Sequence, residues 1–146
     1  MRLKENDHDE LMDAVANKGP ISISVDASDW SDYEIGIFDG CDYKQNMDVN
    51  HAVVLVGYGS ENGEDYWLVR NSWGTYYGED GYIRVKREKE TICGVDKTPW
   101  DGSACKGDKK PRTVCGMCGI LSESSYPTGV KPAAKNLIMW WSLYFK

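Results

Sequence analysis

The sequence lacks a strongly basic segment: its 17 Lys and Arg residues are outnumbered by 23 Asp and Glu, for a formal net charge of -6. Nucleic-acid binding requires a basic surface that neutralises phosphates, so this composition argues against a nucleic-acid partner. The densest basic run holds Lys109, Lys110 and Arg112, directly after Asp108. We predict that this run forms a solvated loop.

Long apolar runs are also scarce. The chain opens Met1-Arg-Leu-Lys-Glu-Asn-Asp7, which has none of the apolar character of a secretory signal. Residues 136–145 are strongly apolar, but they fall well short of the roughly 20 residues that a membrane-spanning helix needs. We therefore expect no membrane partner, and we predict a domain over residues 1–130 followed by an apolar tail over residues 131–146.

Cysteine, in contrast, is abundant. The five cysteines in 146 residues favour either disulfides formed in an oxidising compartment or a metal site. Their number is odd, so at least one of them has no disulfide partner within the chain. The remaining composition, 41% hydrophobic and 27% charged, is that of one ordinary globular domain.

Residues 7–18 have the pattern of a short helix. Asp7 is a suitable N-cap, and Glu10 stands three residues later, as in a capping box. The pair Gly19-Pro20 is typical of a helix end. The sequence therefore predicts a helix close to the start of the chain.

The next seventy residues are patterned mainly as strands. Alternating or continuous apolar residues predict strands over residues 21–25, 51–56, 66–70 and 81–87. Residues 60–64 carry an Asn-Gly pair typical of a hairpin turn, whereas residues 28–40 favour a turn of helix within irregular chain. Several strands after one helix predict an α+β domain, mainly antiparallel β, built as a sheet or small barrel with a short N-terminal helix.

Two blocks carry a more specific signal. They are residues 49–59, Val-Asn-His-Ala-Val-Val-Leu-Val-Gly-Tyr-Gly, and residues 66–82, which include Arg-Asn-Ser-Trp-Gly. Together they resemble the histidine and asparagine regions of the papain-like cysteine peptidases. Further matches follow the family order at residues 19–26, 36–38 and 118–127. The resemblance covers roughly residues 7–127 and implies the barrel-like, C-terminal half of the papain-like fold.

The resemblance implies catalytic roles for His51 and Asn71. The imidazole of His51 would stabilise a cysteine thiolate and later protonate the leaving amine, because a thiol is a poor nucleophile until it is deprotonated. The Asn71 carbonyl would fix the tautomer and orientation of that imidazole. Trp73 matches the aromatic residue that shields the histidine–asparagine hydrogen bond from water, and Tyr77 stands where the family commonly has tryptophan. No cofactor or metal is implied.

For a peptide or protein substrate, the resemblance places Ser24, Val49, Asn50 and Glu123 around one side-chain subsite near the cleaved bond. Glu123 is the informative position, because a carboxylate on the pocket floor would accept an arginine side chain as well as apolar groups. The hypothesis is that the intact enzyme tolerates basic side chains there. The resemblance also suggests the lysosome, the vacuole or the extracellular space, although this sequence shows no signal peptide.

The chain departs from the family in two ways. Residues 94–117 look like an insertion relative to shorter members, and the family's nucleophile segment, Gln…Cys-Gly-Ser-Cys-Trp, has no counterpart here. Cys41 matches a structural disulfide position, while Cys115 and Cys118 lack the following tryptophan. We therefore expect the chain to be inactive alone and to need the helical N-terminal domain, in cis or in trans. The alternative is a standalone, non-catalytic binding or regulatory domain.

The pairing of the cysteines stays open at this point. The resemblance implies a disulfide from Cys41 to either Cys93 or Cys118. Cys105 and Cys115 are close enough in sequence to close a loop of about ten residues, and we expect them to form a disulfide. A zinc knuckle built from the last four cysteines is the alternative, but its spacing is irregular and no histidine assists.

Overall fold

The computed structural model describes residues 1–101 and 110–131. Most of the predicted apolar tail, from residue 132 onward, and Cys105 lie outside the described residues. The described elements are α1 (His8–Asn17), β1 (Ile21–Val25), β2 (Ile37–Phe38), β3 (His51–Glu61), β4 (Glu64–Arg70), β5 (Tyr82–Lys86), β6 (Cys93–Asp96), β7 (Arg112–Cys115), a 3₁₀ helix (Met117–Gly119) and β8 (Ser124–Ser125). No helix within residues 1–101 and 110–131 has both the length and the apolar character needed to cross a membrane.

Helix α1 forms where its capping residue predicts it. The Asp7 carboxylate accepts the Glu10 backbone N–H at 3.0 Å, as an N-cap does. The Glu10 carboxylate does not return to Asp7, as it would in a full capping box, but accepts the Lys4 backbone N–H at 3.1 Å. The buried face of the helix consists of Leu11, Ala14 and Val15.

Six strands form one sheet in the order β2-β5-β4-β3-β1-β8. Neighbouring strands are antiparallel except for β2 and β5, which run parallel. The predicted α+β class, mainly antiparallel β with a short N-terminal helix, is confirmed. The prediction for residues 28–40 needs a correction, because Ile37 and Phe38 form β2 and pair with Arg84 and Val85, and the residues before them form turns and bends.

Alternation along β1 sets the buried face of the sheet. Ile21, Ile23 and Val25 are fully buried, whereas Ser22 is exposed and Ser24 is half-buried. The neighbouring strands and the loop after β1 continue the buried layer with Leu55, Trp67, Val69, Ile83, Val85 and Trp30. Ser24 therefore points away from this core, which leaves it available to a site on the other face.

The β3–β4 hairpin contains the predicted turn. Asn62 and Gly63 have φ angles of 54° and 85°, as a two-residue type I′ turn requires. Strand β3 is longer than the predicted apolar run, because it continues to Glu61 after an irregularity between Leu55 and Gly57. In the register that results, Val54 of β3 lies opposite Arg70 of β4, close to the end of the hairpin that carries His51.

The cysteine-rich stretch folds as a second, two-stranded sheet of β6 and β7. Cys93 and Cys115 face each other in the register of this sheet and form a disulfide, while Cys41 is bonded to Cys118. Of the two partners left open for Cys41, Cys118 is the one observed. The predicted Cys105–Cys115 disulfide is wrong, because antiparallel pairing of β6 with β7 brings Cys93 to Cys115.

The same hairpin corrects two further expectations. Three of the four cysteines in the zinc-knuckle alternative are in disulfides and have no thiolate to offer a metal. Arg112 is the first residue of β7 and its side chain is only 27% exposed, so it is not part of a solvated loop. Lys110 is exposed, and Lys109 lies outside the described residues.

Candidate active site

The register of the sheet places His51 and Asn71 side by side. Val54 of β3 pairs with Arg70, the last residue of β4. Asn71 follows directly and so continues the register opposite Val53, two residues after His51, which begins β3 and pairs with Val25 of β1. Neighbouring strands lie about 5 Å apart, which is within reach of the two side chains.

A hydrogen bond joins these two side chains. Nε2 of His51 lies 2.9 Å from Oδ1 of Asn71, and the same oxygen accepts the Ser72 backbone N–H at 2.7 Å. A backbone N–H can only donate, so the amide atom beside it is the oxygen, and His51 must donate through Nε2. Asn71 is 7% exposed, so its side chain is largely removed from solvent. Nδ1 of His51 makes no hydrogen bond to the described residues.

Two tryptophans hold the imidazole ring. The Trp73 ring stacks on it at a centroid distance of 5.1 Å and an interplanar angle of 29°. The fully buried Trp30 meets it edge-on at 6.4 Å. Trp73 is itself 45% exposed, so it covers one face of the imidazole and presents its own outer face to solvent.

Tyr77 packs behind this cluster. Its ring meets Trp73 edge-on at 5.0 Å. Burial raises the pKa of the Tyr77 phenol to about 12, and the nearby Asn71 side chain acts in the opposite direction. Among the described residues, however, neither the Tyr77 hydroxyl nor Asn71 Nδ2 forms a hydrogen bond of good geometry. Tyr77 therefore supplies an aromatic body and a neutral hydroxyl beside the asparagine.

A cavity of about 210 Å³ opens beside His51. All four predicted substrate residues line it: Ser24, Val49, Asn50 and Glu123. The β6–β7 hairpin contributes Asp96, Arg112 and Val114 to the lining of the same cavity. Residues that are far apart in sequence thus converge on one concave surface next to the imidazole, which is the usual arrangement of a ligand pocket.

Asn50 has a structural task besides lining the cavity. Its Oδ1 accepts the Ala27 backbone N–H at 3.1 Å, and its Nδ2 donates to Ser28 Oγ at 3.1 Å. Its backbone N–H also donates to the Val25 carbonyl oxygen at 3.1 Å. These bonds tie the loop after β1 to the start of β3 and so fix the position from which His51 projects.

The Glu123 carboxylate is already engaged. Nη1 of Arg112 lies 2.5 Å from its Oε1, and Nη2 of Arg2 lies 3.6 Å from the same atom. The sequence had suggested a carboxylate ready to accept an arginine side chain of the substrate. The structure places an ion pair at this end of the cavity, and tolerance of a basic substrate side chain there stays a prediction.

Asp96 connects the hairpin to the strand that carries His51. It is 3% exposed and accepts the Thr98 backbone N–H at 2.9 Å. Burial raises the pKa of its carboxyl group, while the backbone N–H groups of Thr98 and Val49 act in the opposite direction. The carbonyl oxygen of the neighbouring Val95 accepts the Met47 backbone N–H at 3.1 Å, so this part of the hairpin lies against the chain that leads to His51.

Sequence reasoning missed several residues of this site, among them Trp30, Asp96 and Arg112. Trp30 lies in an acidic, aromatic stretch without periodicity, and only the folded sheet brings it to His51. Arg112 was grouped with neighbouring lysines because its partner Glu123 is eleven residues away. For Asp96, the short alternation in β6 was a weak signal that the surrounding glycines and cysteines obscured.

Comparison with known sequences agrees with this geometry. The family model described as papain family cysteine protease matches residues 1–102. Cathepsin S of Rattus norvegicus is 43% identical over 98 residues, which cover 65% of this chain and 29% of the relative. The KDEL-tailed cysteine endopeptidase CEP2 of Arabidopsis thaliana is 42% identical over 134 residues, which cover 90% of this chain and 29% of the relative. The matched part is less than a third of the length of either relative.

Solved structures give the same result. The bromelain protease from Ananas comosus in complex with the E64 inhibitor has a TM-score of 0.64 at 36% identity, covering 87% of this chain and 48% of that one. Digestive procathepsin L 3 of Tenebrio molitor larval midgut has a TM-score of 0.62 at 35% identity, covering 86% and 33%. The family match, the relatives and the shared fold agree, and this chain belongs to the papain family of cysteine proteases.

Proposed function

We propose that this chain supplies the histidine and the asparagine of a peptide-hydrolysing site whose nucleophilic cysteine belongs to a helical domain, present in cis or in trans. The contact that carries the proposal is the 2.9 Å separation of His51 Nε2 and Asn71 Oδ1. This hydrogen bond engages Nε2 of the His51 ring and leaves Nδ1 to accept the proton of a thiol. The adjoining cavity offers a place for a substrate side chain.

The chemistry follows from that arrangement. Nδ1 of His51 takes the proton of the incoming thiol, and the resulting imidazolium stabilises the thiolate. The thiolate attacks the carbonyl carbon of the peptide bond, and Nδ1 returns the proton to the amine as the carbon–nitrogen bond breaks. A water molecule, deprotonated at the same nitrogen, then releases the acyl group as a carboxylic acid and regenerates the thiol. Asn71 holds the ring in one orientation throughout.

The described part of the chain has no free thiol to act as nucleophile. Cys41, Cys93, Cys115 and Cys118 are all in disulfides. Cys105 lies outside the described residues. The assignment of the nucleophile to another domain rests on this and on the lack of a Cys-Gly-Ser-Cys-Trp segment in the sequence.

The proposed setting is a lysosome, a vacuole or the extracellular space. Disulfides form and persist in oxidising compartments, and two are present here. The relatives include cathepsin S proteins and a KDEL-tailed cysteine endopeptidase. The proposed substrates are peptides or proteins, bound with one side chain in the cavity beside His51.

The test compares the 146-residue chain alone with the same chain mixed with the cysteine-bearing helical domain of the Rattus norvegicus relative. Hydrolysis of a fluorogenic dipeptide amide and labelling by a thiol-reactive epoxide are measured in both samples. We expect neither signal from the chain alone and both from the mixture. Hydrolysis by the chain alone, blocked by the epoxide, would show that one of its own cysteines is the nucleophile.

The two histidines of the chain provide a matched pair of variants. His51→Ala should reduce hydrolysis by the mixture by about a hundredfold or more, the range of a general acid–base group. His8→Gln should leave it unchanged, because His8 packs on Trp67 at the start of α1. A mixture that forms a complex and captures peptides without cleaving them would support the alternative of a non-catalytic binding domain.

A further inference from the structure

The β6–β7 hairpin brings a cation into the substrate cavity. Arg112 begins β7, and the Cys93–Cys115 disulfide fixes the other end of that strand. The Arg112 side chain is 27% exposed and contacts Glu123, which also lines the cavity. The cavity therefore contains both members of an ion pair, contributed by two parts of the chain.

This ion pair engages one oxygen of the Glu123 carboxylate. Its Oε1 accepts from Arg112 at 2.5 Å and lies 3.6 Å from Arg2. The two arginines also contact Glu5, at 3.3 Å and 2.5 Å. A guanidinium that enters the cavity therefore meets the positive charge of Arg112 close to Glu123, and this repulsion opposes its binding.

We propose that Arg112 sets the selectivity of the cavity: by holding Glu123, it makes the cavity accept uncharged substrate side chains and disfavour cationic ones. This inference rests on the proposed function, since it concerns the substrate of the same site. The apolar residues Val49, Ala52 and Val114, which line the cavity, also favour uncharged substrate side chains.

Two other carboxylates line the cavity, and neither replaces Glu123 as a receptor for a cation. Asp96 is 3% exposed and accepts the Thr98 backbone N–H. Asp48 lies 3.4 Å from the Asn50 side-chain amide, at the rim that leads to His51. Removing Arg112 would therefore remove the cation nearest to Glu123, leave Arg2 at 3.6 Å from the carboxylate, and turn the cavity toward basic side chains.

A binding experiment on the whole 146-residue chain separates this inference from the catalytic proposal. N-acetyl-leucine N-methylamide and N-acetyl-arginine N-methylamide are titrated while the backbone amide signals of Ala52 and Ser122 are followed by NMR. In the unaltered chain, we expect the arginine derivative to bind about tenfold more weakly than the leucine derivative or worse, a difference typical of one charge-assisted contact.

Arg112→Gln should remove most of that difference by strengthening binding of the arginine derivative about tenfold. The double variant Arg112→Gln/Glu123→Gln has the net charge of the unaltered chain and should lose the gain, which distinguishes an exposed carboxylate from a general change in charge. Glu5→Gln is the matched control, because it removes a carboxylate that Arg112 contacts but leaves Glu123 in place. It should keep the preference for leucine.

The outcomes are distinct. In one outcome, folded Arg112→Gln binds the arginine derivative no more tightly than the unaltered chain does, while the leucine derivative still shifts the cavity signals. This result would overturn the selectivity role of Arg112 and leave the proposed function standing. Failure of both ligands to shift these signals in every folded variant would overturn the cavity as a substrate site, and with it this inference. Mapping of the two disulfides in each variant verifies that the hairpin is intact.

Discussion

The side-chain oxygen of Asn71 lies 2.9 Å from Nε2 of His51 and 2.7 Å from the Ser72 backbone nitrogen. Because the backbone group is an obligate donor, it fixes the amide oxygen toward the imidazole and so selects the Nε2–H tautomer. The geometry of the chain itself, before any partner or substrate is added, thus determines which ring nitrogen is left to receive a proton.

The first prediction concerns this tautomer. Long-range ¹H–¹⁵N spectra, recorded where the His51 ring is uncharged, should show this ring protonated at Nε2. Asn71→Ala should give a mixture of both tautomers, because the acceptor is gone. In the complex with a cysteine-bearing domain, the same variant should lower kcat by about tenfold to a hundredfold, part of the contribution of a well-placed acid–base group. Asn71→Asp retains an acceptor oxygen and is the control. A pure Nε2–H signal in Asn71→Ala would contradict the assigned role.

The second prediction concerns the stacked indole. Trp73→Ala should lower the free energy of unfolding by only about 1 kcal/mol, because the ring is half-exposed and an aromatic pair contributes about that much. It should also speed exchange of the His51 Nε2–H with water, since one face of the imidazole loses its cover. Urea unfolding and NMR exchange measure the two effects. Trp73→Phe keeps a ring and should retain most of the protection, whereas equal exchange rates in all three proteins would rule out shielding.

Local signals predicted much of the fold. Helix α1 and the β3–β4 hairpin were predicted from a cap and from an Asn-Gly turn, both of which act within a few residues. The alternation of Ile21, Ile23 and Val25 predicted β1 and its buried face. Of the site, the pattern around His51 and Asn71 predicted a contact that the strand register then brings about.

The remaining features depend on contacts distant in sequence. Strand β7 was hidden because its partner β6 precedes it by more than fifteen residues, and neither strand has more than four. For the same reason Cys115 was assigned to a nearby cysteine, although strand pairing brings Cys93 to it. Arg112 and Trp30 reach the site only through tertiary packing, which no local pattern of the sequence records.

The third prediction concerns the disulfides. Replacing Cys93 and Cys115 together by alanine should reduce the free energy of unfolding by about 3 kcal/mol, because an open unfolded chain of this loop length has more conformational freedom. Removal of the Cys41–Cys118 bond should cost about 4 kcal/mol, since it closes a longer loop. Urea unfolding without reductant measures both losses, and peptide mapping checks the pairing. A peptide that links Cys105 to Cys115 would contradict the observed connectivity.

The last prediction concerns the buried carboxyl group of Asp96. Its pKa is raised by burial in the folded chain, so the protonated form favours folding. That contribution is complete below the ordinary Asp pKa of 3.8 and is lost as the pH rises through the folded value. Asp96→Asn keeps an oxygen for the Thr98 N–H but cannot ionise, so its stability relative to the unaltered chain should be greater at about pH 7 than at about pH 3.5. Urea unfolding at both pH values measures this difference, and Asp29→Asn, which removes an exposed carboxylate, is the control. A constant difference between the two pH values would show that Asp96 does not titrate with folding.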